Sequence, residues 1–224
     1  MTKVLIIEDE ESIRLLLRYD LKAAGYEVEL AEDGETGLEM ALSRSYDVLI
    51  VDWMLPRLSG LELVRKVREM QSQALIFMVT AKDEEQDVLE AFDVGVDDYL
   101  IKPFSPRQLV ARLNAHLRRL SHRENQQQRT FGNVVISDEE HRVLVDGNEV
   151  FLTKTEFDLL QYLSSNLNKV MSREQILNDI WDFDYDGDTR IVDVHIFKLR
   201  SKLVNGSLQI KSLRGVGYVA KITA

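Results

Sequence analysis

Five short apolar runs, separated by segments with helical periodicity, occupy the first half of this chain. The strand candidates are Val4–Ile7, Val28–Ala31, Val48–Val51, Leu75–Val79 and Tyr99–Ile101. The helix candidates between and after them are Ile13–Ala24, Glu35–Ser43, Leu61–Met70, Asp83–Val94 and a helix that begins at Ser105-Pro106. Strict alternation of strand and helix predicts a doubly wound parallel sheet covered on both faces, with any ligand at the carboxyl ends of the strands.

The second half has a different pattern. Residues 121–130 are polar and without hydrophobic periodicity, which indicates a linker. Alternating apolar residues from Val134 to Val145 then predict antiparallel strands, and a hairpin is expected over Leu208–Ile222. Between these lie three helix candidates, marked by Phe157 to Leu167, by Ser172 to Ile180, and by Thr189–Leu203. We therefore predict domains at 1–120 and 131–224, the second an α+β helix-turn-helix domain.

The formal net charge of −10 is unevenly distributed. Residues 1–120 carry 15 basic and 23 acidic side chains, whereas residues 190–224 carry seven basic side chains and one acid. A surface that binds a polyanion is therefore expected in the C-terminal part. The chain has no cysteine and no apolar run of membrane-spanning length, so we expect a cytoplasmic protein with no disulfide and no membrane partner.

Chemically reactive side chains are expected at the carboxyl ends of four strands. These are Glu8 and Asp9, Asp52, Thr80 and Lys102. Three carboxylates at one place repel one another unless a cation neutralises them, and hard oxygen ligands suit Mg²⁺. Asp52, at the end of the central strand, is placed to attack a phosphoryl group. Lys102 and Mg²⁺ would stabilise the phosphoryl oxygens during transfer.

The third helix of the second domain has a basic face. Val192, Ile196, Leu199 and Leu203 fall on one arc that should face the core, so Arg190, Val194, Lys198 and Ser201 should point outward. His195 and Lys202 flank this outward strip. Such a strip can enter the major groove of duplex DNA, and Arg214 at the tip of the terminal hairpin offers a further contact.

The motifs on these segments resemble those of bacterial response regulators of the OmpR/PhoB winged-helix class. In the first domain they are Ile7-Glu8-Asp9-Glu10, Val51-Asp52-Trp53-Met54-Leu55-Pro56, Thr80-Ala81-Lys82 and Gly95-Val96-Asp97-Asp98-Tyr99-Leu100-Ile101-Lys102-Pro103-Phe104. In the second they are Leu152-Thr153-Lys154-Thr155-Glu156-Phe157, Arg190-Ile191-Val192-Asp193-Val194-His195-Ile196 and Leu213-Arg214-Gly215-Val216-Gly217-Tyr218. The resemblance implies a flavodoxin-like receiver domain followed by a winged helix-turn-helix domain.

The resemblance also implies roles for individual residues. Asp52 would accept a phosphoryl group from a sensor histidine kinase, and Glu8, Asp9, Asp52 and the Met54 backbone carbonyl would hold or support Mg²⁺. Thr80 and Tyr99 would move on phosphorylation, and a cis bond would precede Pro103. DNA contacts are implied for Arg190, Val194, His195, Lys198, Lys202, Arg214 and Tyr218, whereas Phe197 stands where many relatives carry a basic residue.

Assembly on activation is implied as well. Family members pair two receivers, and the candidate intersubunit ion pairs here are Asp98 with Arg112 and Asp93 with Arg119. Two winged helices would then bind repeated DNA half-sites. The acidic loop Asp182–Gly187 corresponds to the one that meets RNA polymerase in relatives.

Three alternatives remain open from the sequence. A phosphohydrolase with an aspartyl-phosphate intermediate also uses a nucleophilic Asp after a buried strand, but such enzymes resemble one another in a second Asp two residues later, where this chain has Met54. The segment from Asp182 to Asp193 copies part of the ligand pattern of a calcium loop, but its twelfth position is Asp rather than Glu. A DNA-binding protein whose receiver is not phosphorylated is the third.

Overall fold

A computed structural model describes residues 1–121, 128–181 and 189–223, without the side chains of residues 118–121. The chain divides into two compact units, Met1–Leu113 and Asn114–Ala224. Most of the expected linker 121–130 and the whole acidic loop from Asp182 to Gly187 lie outside the described residues. Within the described parts, no helix is both long enough and apolar enough to cross a membrane.

A five-stranded parallel sheet forms the centre of the first unit. Its strands, in spatial order β2-β1-β3-β4-β5, are β1 Lys3–Ile7, β2 Glu27–Ala31, β3 Val48–Asp52, β4 Leu75–Thr80 and β5 Asp98–Ile101. Strands β3 and β4 are buried along their whole length, because helices cover both faces of the sheet. All five expected strands are thus confirmed, and the strand order reverses at β1, next to the central strand β3.

Five helices connect or follow these strands. They are α1 Glu11–Ala23, α2 Gly34–Ser43, α3 Gly60–Glu69, α4 Glu85–Val94 and α5 Pro106–Ser121. Side-chain caps define two of the starts: Asp33 accepts a hydrogen bond from the Thr36 N–H, and Ser59 accepts one from the Glu62 N–H. Gly95, in the left-handed conformation at φ 110°, ends α4. The peptide bond before Pro103 is cis, as the resemblance implied.

The second unit contains two antiparallel sheets. The strands β6 Arg129–Phe131, β7 Val134–Ser137, β8 Arg142–Val145 and β9 Asn148–Glu149 pair in sequence order. The other sheet has the order β10-β12-β11 and consists of β10 Met171–Ser172, β11 Leu208–Leu213 and β12 Gly217–Ile222. The terminal hairpin was expected, whereas β10 was not, since two residues carry no periodicity.

Three helices, α6 Lys154–Ser165, α7 Arg173–Trp181 and α8 Arg190–Lys202, pack against one another and against the β10-β12-β11 sheet. A capping box starts α6, in which the Thr153 and Glu156 side chains bond reciprocally to each other's backbone N–H. The four positions expected to face the core from α8, namely Val192, Ile196, Leu199 and Leu203, are all buried. This arrangement of helix, turn, helix and β-hairpin is a winged helix-turn-helix domain.

Candidate functional site: an acidic pocket and a basic helix

Three carboxylates meet at the carboxyl edge of the parallel sheet. Glu8 and Asp9 directly follow β1, and Asp52 is the last residue of the neighbouring strand β3. One carboxylate oxygen from each lies within 4.8 Å of the others. Glu8 and Asp52 are buried, whereas Asp9 is exposed at the pocket's rim. The donor set consists of three carboxyl groups, and such hard oxygen ligands fit the requirements of Mg²⁺.

Lys102 crosses the pocket from the end of β5. Its Nζ donates hydrogen bonds to Glu8 Oε2 at 2.8 Å and to Asp52 Oδ2 at 2.6 Å. Burial raises the pKa of Glu8, and the charge of Asp52 adds to this, while the hydrogen bond from Lys102 opposes it. Burial alone would lower the pKa of Lys102, but the hydrogen bonds to Asp52 and Glu8 outweigh it and raise the pKa. The ammonium therefore stays charged beside the two acids.

The backbone around Asp52 holds its side chain in place. The Met54 N–H donates to Asp52 Oδ1 at 2.9 Å, so each carboxylate oxygen of Asp52 has a donor. Gly60, at the start of α3, packs directly against this strand end. A Cβ at Gly60 would lie 1.9 Å from the Asp52 carbonyl oxygen, so only glycine permits this approach. The Met54 side chain is exposed.

Thr80, Lys82 and Tyr99 form the side of the pocket nearest α4. Thr80 is fully buried at the end of β4, and its Oγ1 accepts a hydrogen bond from the Lys82 N–H at 3.4 Å. Tyr99 is buried on β5, and its hydroxyl donates to the Lys82 carbonyl at 2.9 Å. Burial raises the pKa of Tyr99, so its hydroxyl keeps its proton. Two expected residues of the site thus bond to the backbone of the same residue, Lys82.

Lys82 also joins this side of the pocket to Trp53. Its Nζ lies 4.4 Å from the centroid of the Trp53 ring and donates to Asp87 Oδ1 at 2.6 Å. Trp53 immediately follows the central acid, and its side chain is buried. Neither contact was expected, although Lys82 belongs to the Thr80-Ala81-Lys82 motif. A cation beside an aromatic ring is stabilised by the ring's negative face.

The outward face of α8 carries the other candidate surface. Arg190 is exposed, Val194 and Lys198 are half-buried, and the exposed Ser201 continues the same strip. Arg214 is exposed in the turn between β11 and β12, where Gly215 adopts φ 74°. A helix face with basic side chains beside a β-hairpin with a basic tip is suited to the phosphates and grooves of duplex DNA.

Comparisons with known proteins match both units. The response regulator receiver domain family matches residues 4–114, and the transcriptional regulatory protein C-terminal family matches residues 147–220. Response regulator ArlR of Staphylococcus aureus (strain NCTC 8325 / PS 47) is 42% identical over 223 residues, which span 99% of this chain and 100% of ArlR. The chain is a response regulator of the OmpR/PhoB class.

Solved structures agree with this assignment. A mutant of the protein RitR is 31% identical and superposes with a TM-score of 0.77 over 100% of both chains. The response regulator DrrB, an OmpR/PhoB homologue from Thermotoga maritima, is 30% identical with a TM-score of 0.54 over 99% of both chains. This response regulator therefore belongs to two-component signal transduction and has a winged-helix domain that binds DNA and regulates transcription.

Two expected DNA contacts of the response regulator are engaged inside its own winged-helix domain. His195 is 2% exposed, and its ring centroid lies 5.1 Å from that of Trp181, so the expectation that it flanks the outward strip is wrong. Lys202 donates to the buried carboxylate of Glu156 at 2.5 Å and therefore also turns inward. The reason is that α6 and α7 both pack against α8, so more positions of α8 face a neighbouring helix than the four expected core positions.

Tyr218 is a further correction to the expected DNA surface. It is 4% exposed, and its hydroxyl donates to Asp193 Oδ1 at 2.5 Å. Arg173 of α7 donates to the same oxygen at 2.7 Å and to the Tyr218 hydroxyl at 3.2 Å. Burial, and then the hydrogen bond to Asp193, raises the pKa of Tyr218 to about 12. Tyr218 therefore ties β12 to α7 and α8 instead of offering its ring to DNA.

Arg200 adds a second tie between α8 and the terminal hairpin. Its Nε donates to the Ile210 carbonyl at 2.8 Å, and it donates to Ser212 Oγ at 2.9 Å. Neither Arg173 nor Arg200 was expected to have a role, because the partners lie 20 and 10 residues away in sequence. Together these contacts fix the angle between the helix and the wing.

The expected dimerisation residues fall into three groups. Asp98 and Arg112, expected to pair between subunits, are bonded to each other within the chain, where Arg112 donates to Asp98 Oδ1 at 2.9 Å in a buried position. Asp93 is exposed on α4. The Arg119 side chain lies outside the described residues.

Proposed function

We propose that this response regulator is switched by phosphorylation of Asp52. A sensor histidine kinase would supply the phosphoryl group: a carboxylate oxygen of Asp52 forms a bond to phosphorus as the bond from phosphorus to the donor histidine nitrogen breaks. The observation that carries the proposal is the convergence of Lys102 on Asp52 and Glu8, at 2.6 and 2.8 Å. Thr80 is buried at the end of β4, the strand next to the one that ends in Asp52.

We propose Mg²⁺ as the cofactor at this edge of the sheet. Asp9, Asp52 and the Met54 backbone carbonyl would hold it, with Glu8 in a supporting position. The ion would supply positive charge to the phosphoryl oxygens during transfer. The chemistry of the donor set, three carboxylates within 4.8 Å, supports this assignment. Lys102 neutralises part of the same charge and contacts Asp52 directly.

The signal would pass through Thr80 and Tyr99. A phosphoryl group adds about two negative charges and three acceptor oxygens, which would attract the Thr80 hydroxyl at the end of the adjacent strand. Thr80 and Tyr99 are both bonded to the backbone of Lys82, at 3.4 and 2.9 Å. A shift of Thr80 would therefore alter the loop that precedes α4 and, with it, the hydrogen bond of Tyr99.

The protein is proposed to be a phosphoacceptor with at most slow autodephosphorylation, and not a turnover enzyme. Fast hydrolysis of an aspartyl phosphate needs a general acid or base beside it, and the position two residues after Asp52 holds Met54, whose thioether cannot transfer a proton. The phosphorylated form should thus persist long enough to act as a signal.

Phosphorylation would promote a homodimer that binds repeated DNA half-sites. Arg190, Val194 and Lys198 on α8 would enter the major groove, and Arg214 would contact the adjacent minor groove. RNA polymerase is proposed as a further partner. Asp93 of α4 and Arg119 of α5 are proposed to pair between subunits, and Asp98 and Arg112 could do so only by giving up their contact within the chain.

The test is treatment of the full chain with acetyl phosphate and Mg²⁺, followed by intact-mass measurement and DNA gel shift. The wild-type chain should gain the mass of one phosphoryl group and bind DNA more tightly. The matched control Asp52→Asn keeps the shape of the side chain but should gain no mass. A wild type that takes up no phosphoryl group would leave a DNA-binding protein with an unphosphorylated receiver.

Dimerisation is tested with the same samples by size-exclusion chromatography coupled to light scattering. Asp93→Lys, on the exposed face of α4, should fold normally and yet remain monomeric after phosphorylation. An unchanged dimer would remove Asp93 from the interface.

A further inference from the structure

Phe197 is the most exposed aromatic side chain on α8. It is 71% exposed, whereas its neighbours Ile196 and Leu199 are 1% and 0% exposed. A single exposed apolar residue needs no explanation by itself. The position of Phe197 does need an explanation, because this residue lies on the helix face through which the domain is proposed to contact DNA.

The position of Phe197 follows from helical spacing. Arg190, Val194, Phe197 and Ser201 are related by steps of four, three and four residues, so Phe197 lies on the outward strip formed by Arg190, Val194, Lys198 and Ser201. The buried positions Val192, Ile196 and Leu199 belong to the opposite face. Phe197 therefore lies midway along the strip and projects away from the core.

Charge complementarity identifies the occupant of this strip. Residues 190–224 carry seven basic side chains and one acid, and that acid, Asp193, is bonded to both Arg173 and Tyr218. Arg190 and Lys198 border Phe197 on the same helix. The basic side chains around the phenyl ring attract the phosphates of duplex DNA, whereas a protein partner would need an acidic surface to cover the ring.

We propose that Phe197 selects thymine by contacting its 5-methyl group in the major groove. This inference deepens the proposed function and rests on it. A phenyl ring has no donor or acceptor, so it cannot read the hydrogen-bonding edges of the bases. The thymine methyl is the one apolar group that a base pair presents in the major groove. An adenine-thymine pair is therefore favoured at the step that faces Phe197.

The same geometry gives Val194 a secondary part. It precedes Phe197 by three residues and is half-buried, so it offers less apolar surface than the phenyl ring. Arg190 and Lys198 would place the strip by binding phosphates or guanine, and Phe197 would supply discrimination at one base pair. Replacement of the ring should then change base preference more than overall affinity.

The test begins with duplexes enriched from a random-sequence library by the full chain, with and without acetyl phosphate and Mg²⁺. In the best duplex, each thymine is replaced in turn by deoxyuridine, which removes only the methyl group. With the wild type, one such replacement should weaken binding about fourfold, the value expected for one buried methyl. With Phe197→Ala, the same replacement should have no effect.

Two further variants sharpen the result. Val204→Ala removes an exposed apolar side chain, 74% exposed, that follows α8, and it should respond to deoxyuridine as the wild type does. Phe197→Lys should enrich duplexes with guanine in place of the sensitive thymine. Because Phe197 is on the surface, thermal unfolding of its variants should match that of the wild type.

The outcomes separate the two levels of the proposal. If no duplex is enriched, the proposed DNA contact through α8 fails, and the inference with it. If duplexes are enriched but no deoxyuridine position depends on Phe197, DNA binding stands and the inference is overturned. An equal loss at the same position in the wild type and in Phe197→Ala would also overturn it.

Discussion

The carboxylate of Asp98 and the guanidinium of Arg112 form a buried ion pair inside one chain, 2.9 Å apart, with side chains 0% and 9% exposed. Strand β5 and helix α5 are therefore joined by a charge interaction shielded from water. Any rearrangement of this region on activation has to keep the pair or provide each partner with a new one, because an isolated buried charge is costly.

Arg112→Met should lower the free energy of unfolding by about 3 kcal/mol, since it removes the buried cation that donates to Asp98 Oδ1. The double variant Asp98→Asn with Arg112→Met should be clearly more stable than the sum of the two single changes predicts. Urea denaturation of the wild type, the two single variants and the double variant gives the coupling free energy between the two residues. Strict additivity would mean that the pair contributes nothing.

Lys102→Met should weaken the acidic pocket in a way that Mg²⁺ repairs. In the presence of a chelator we expect a loss of about 2 kcal/mol, because Glu8 and Asp52 then face each other without a cation. Added Mg²⁺ should raise the melting temperature of this variant more than that of the wild type. Lys66→Met is the control, because its pair with Glu62 is exposed on both sides and should be worth at most about 0.5 kcal/mol.

Glu8→Gln should become relatively more stable as the pH rises. Burial raises the pKa of Glu8, so the folded chain binds a proton there more tightly than the unfolded chain does. That contribution to stability is complete below the unfolded pKa and is lost as the pH rises through the folded one. In the presence of a chelator, the melting temperature of the variant should rise relative to that of the wild type from about pH 4 to about pH 7. A constant difference across this range would contradict the raised pKa.

Arg214→Ala and Tyr218→Phe should weaken DNA binding in different ways. Loss of one cation from the DNA interface by Arg214→Ala should reduce the slope of log affinity against log salt concentration by about 1. Tyr218→Phe removes the hydroxyl bonded to Asp193, so it should lower affinity through the angle of the wing and leave the slope unchanged. Lys221→Ala, at the far end of β12, is the control for general charge loss. Equal slopes for all the variants would remove Arg214 from the proposed DNA interface.

The regular elements of both units were predictable because they depend on local patterns. Apolar runs such as Val48–Val51 and Leu75–Val79 indicate strands buried on both faces, and the intervening periodicity indicates helices. Alternation then places the ends of these strands at one edge, which is why Glu8, Asp52 and Lys102 could be expected to meet. The two-residue strand β10 could not be predicted, because its pairing with Gly217 joins residues that are far apart in sequence.

Sequence alone thus determined the two-domain fold, the acidic pocket and the basic strip of α8, since each follows from spacing along one element or from the edge rule for parallel strands. Tertiary structure decided the direction in which the side chains at the margins of α8 turn. Helical spacing gives an angle around the axis but not the neighbours on either flank. His195 therefore packs on Trp181, Lys202 pairs with Glu156 and Tyr218 bonds to Asp193, while Phe197 remains on the surface.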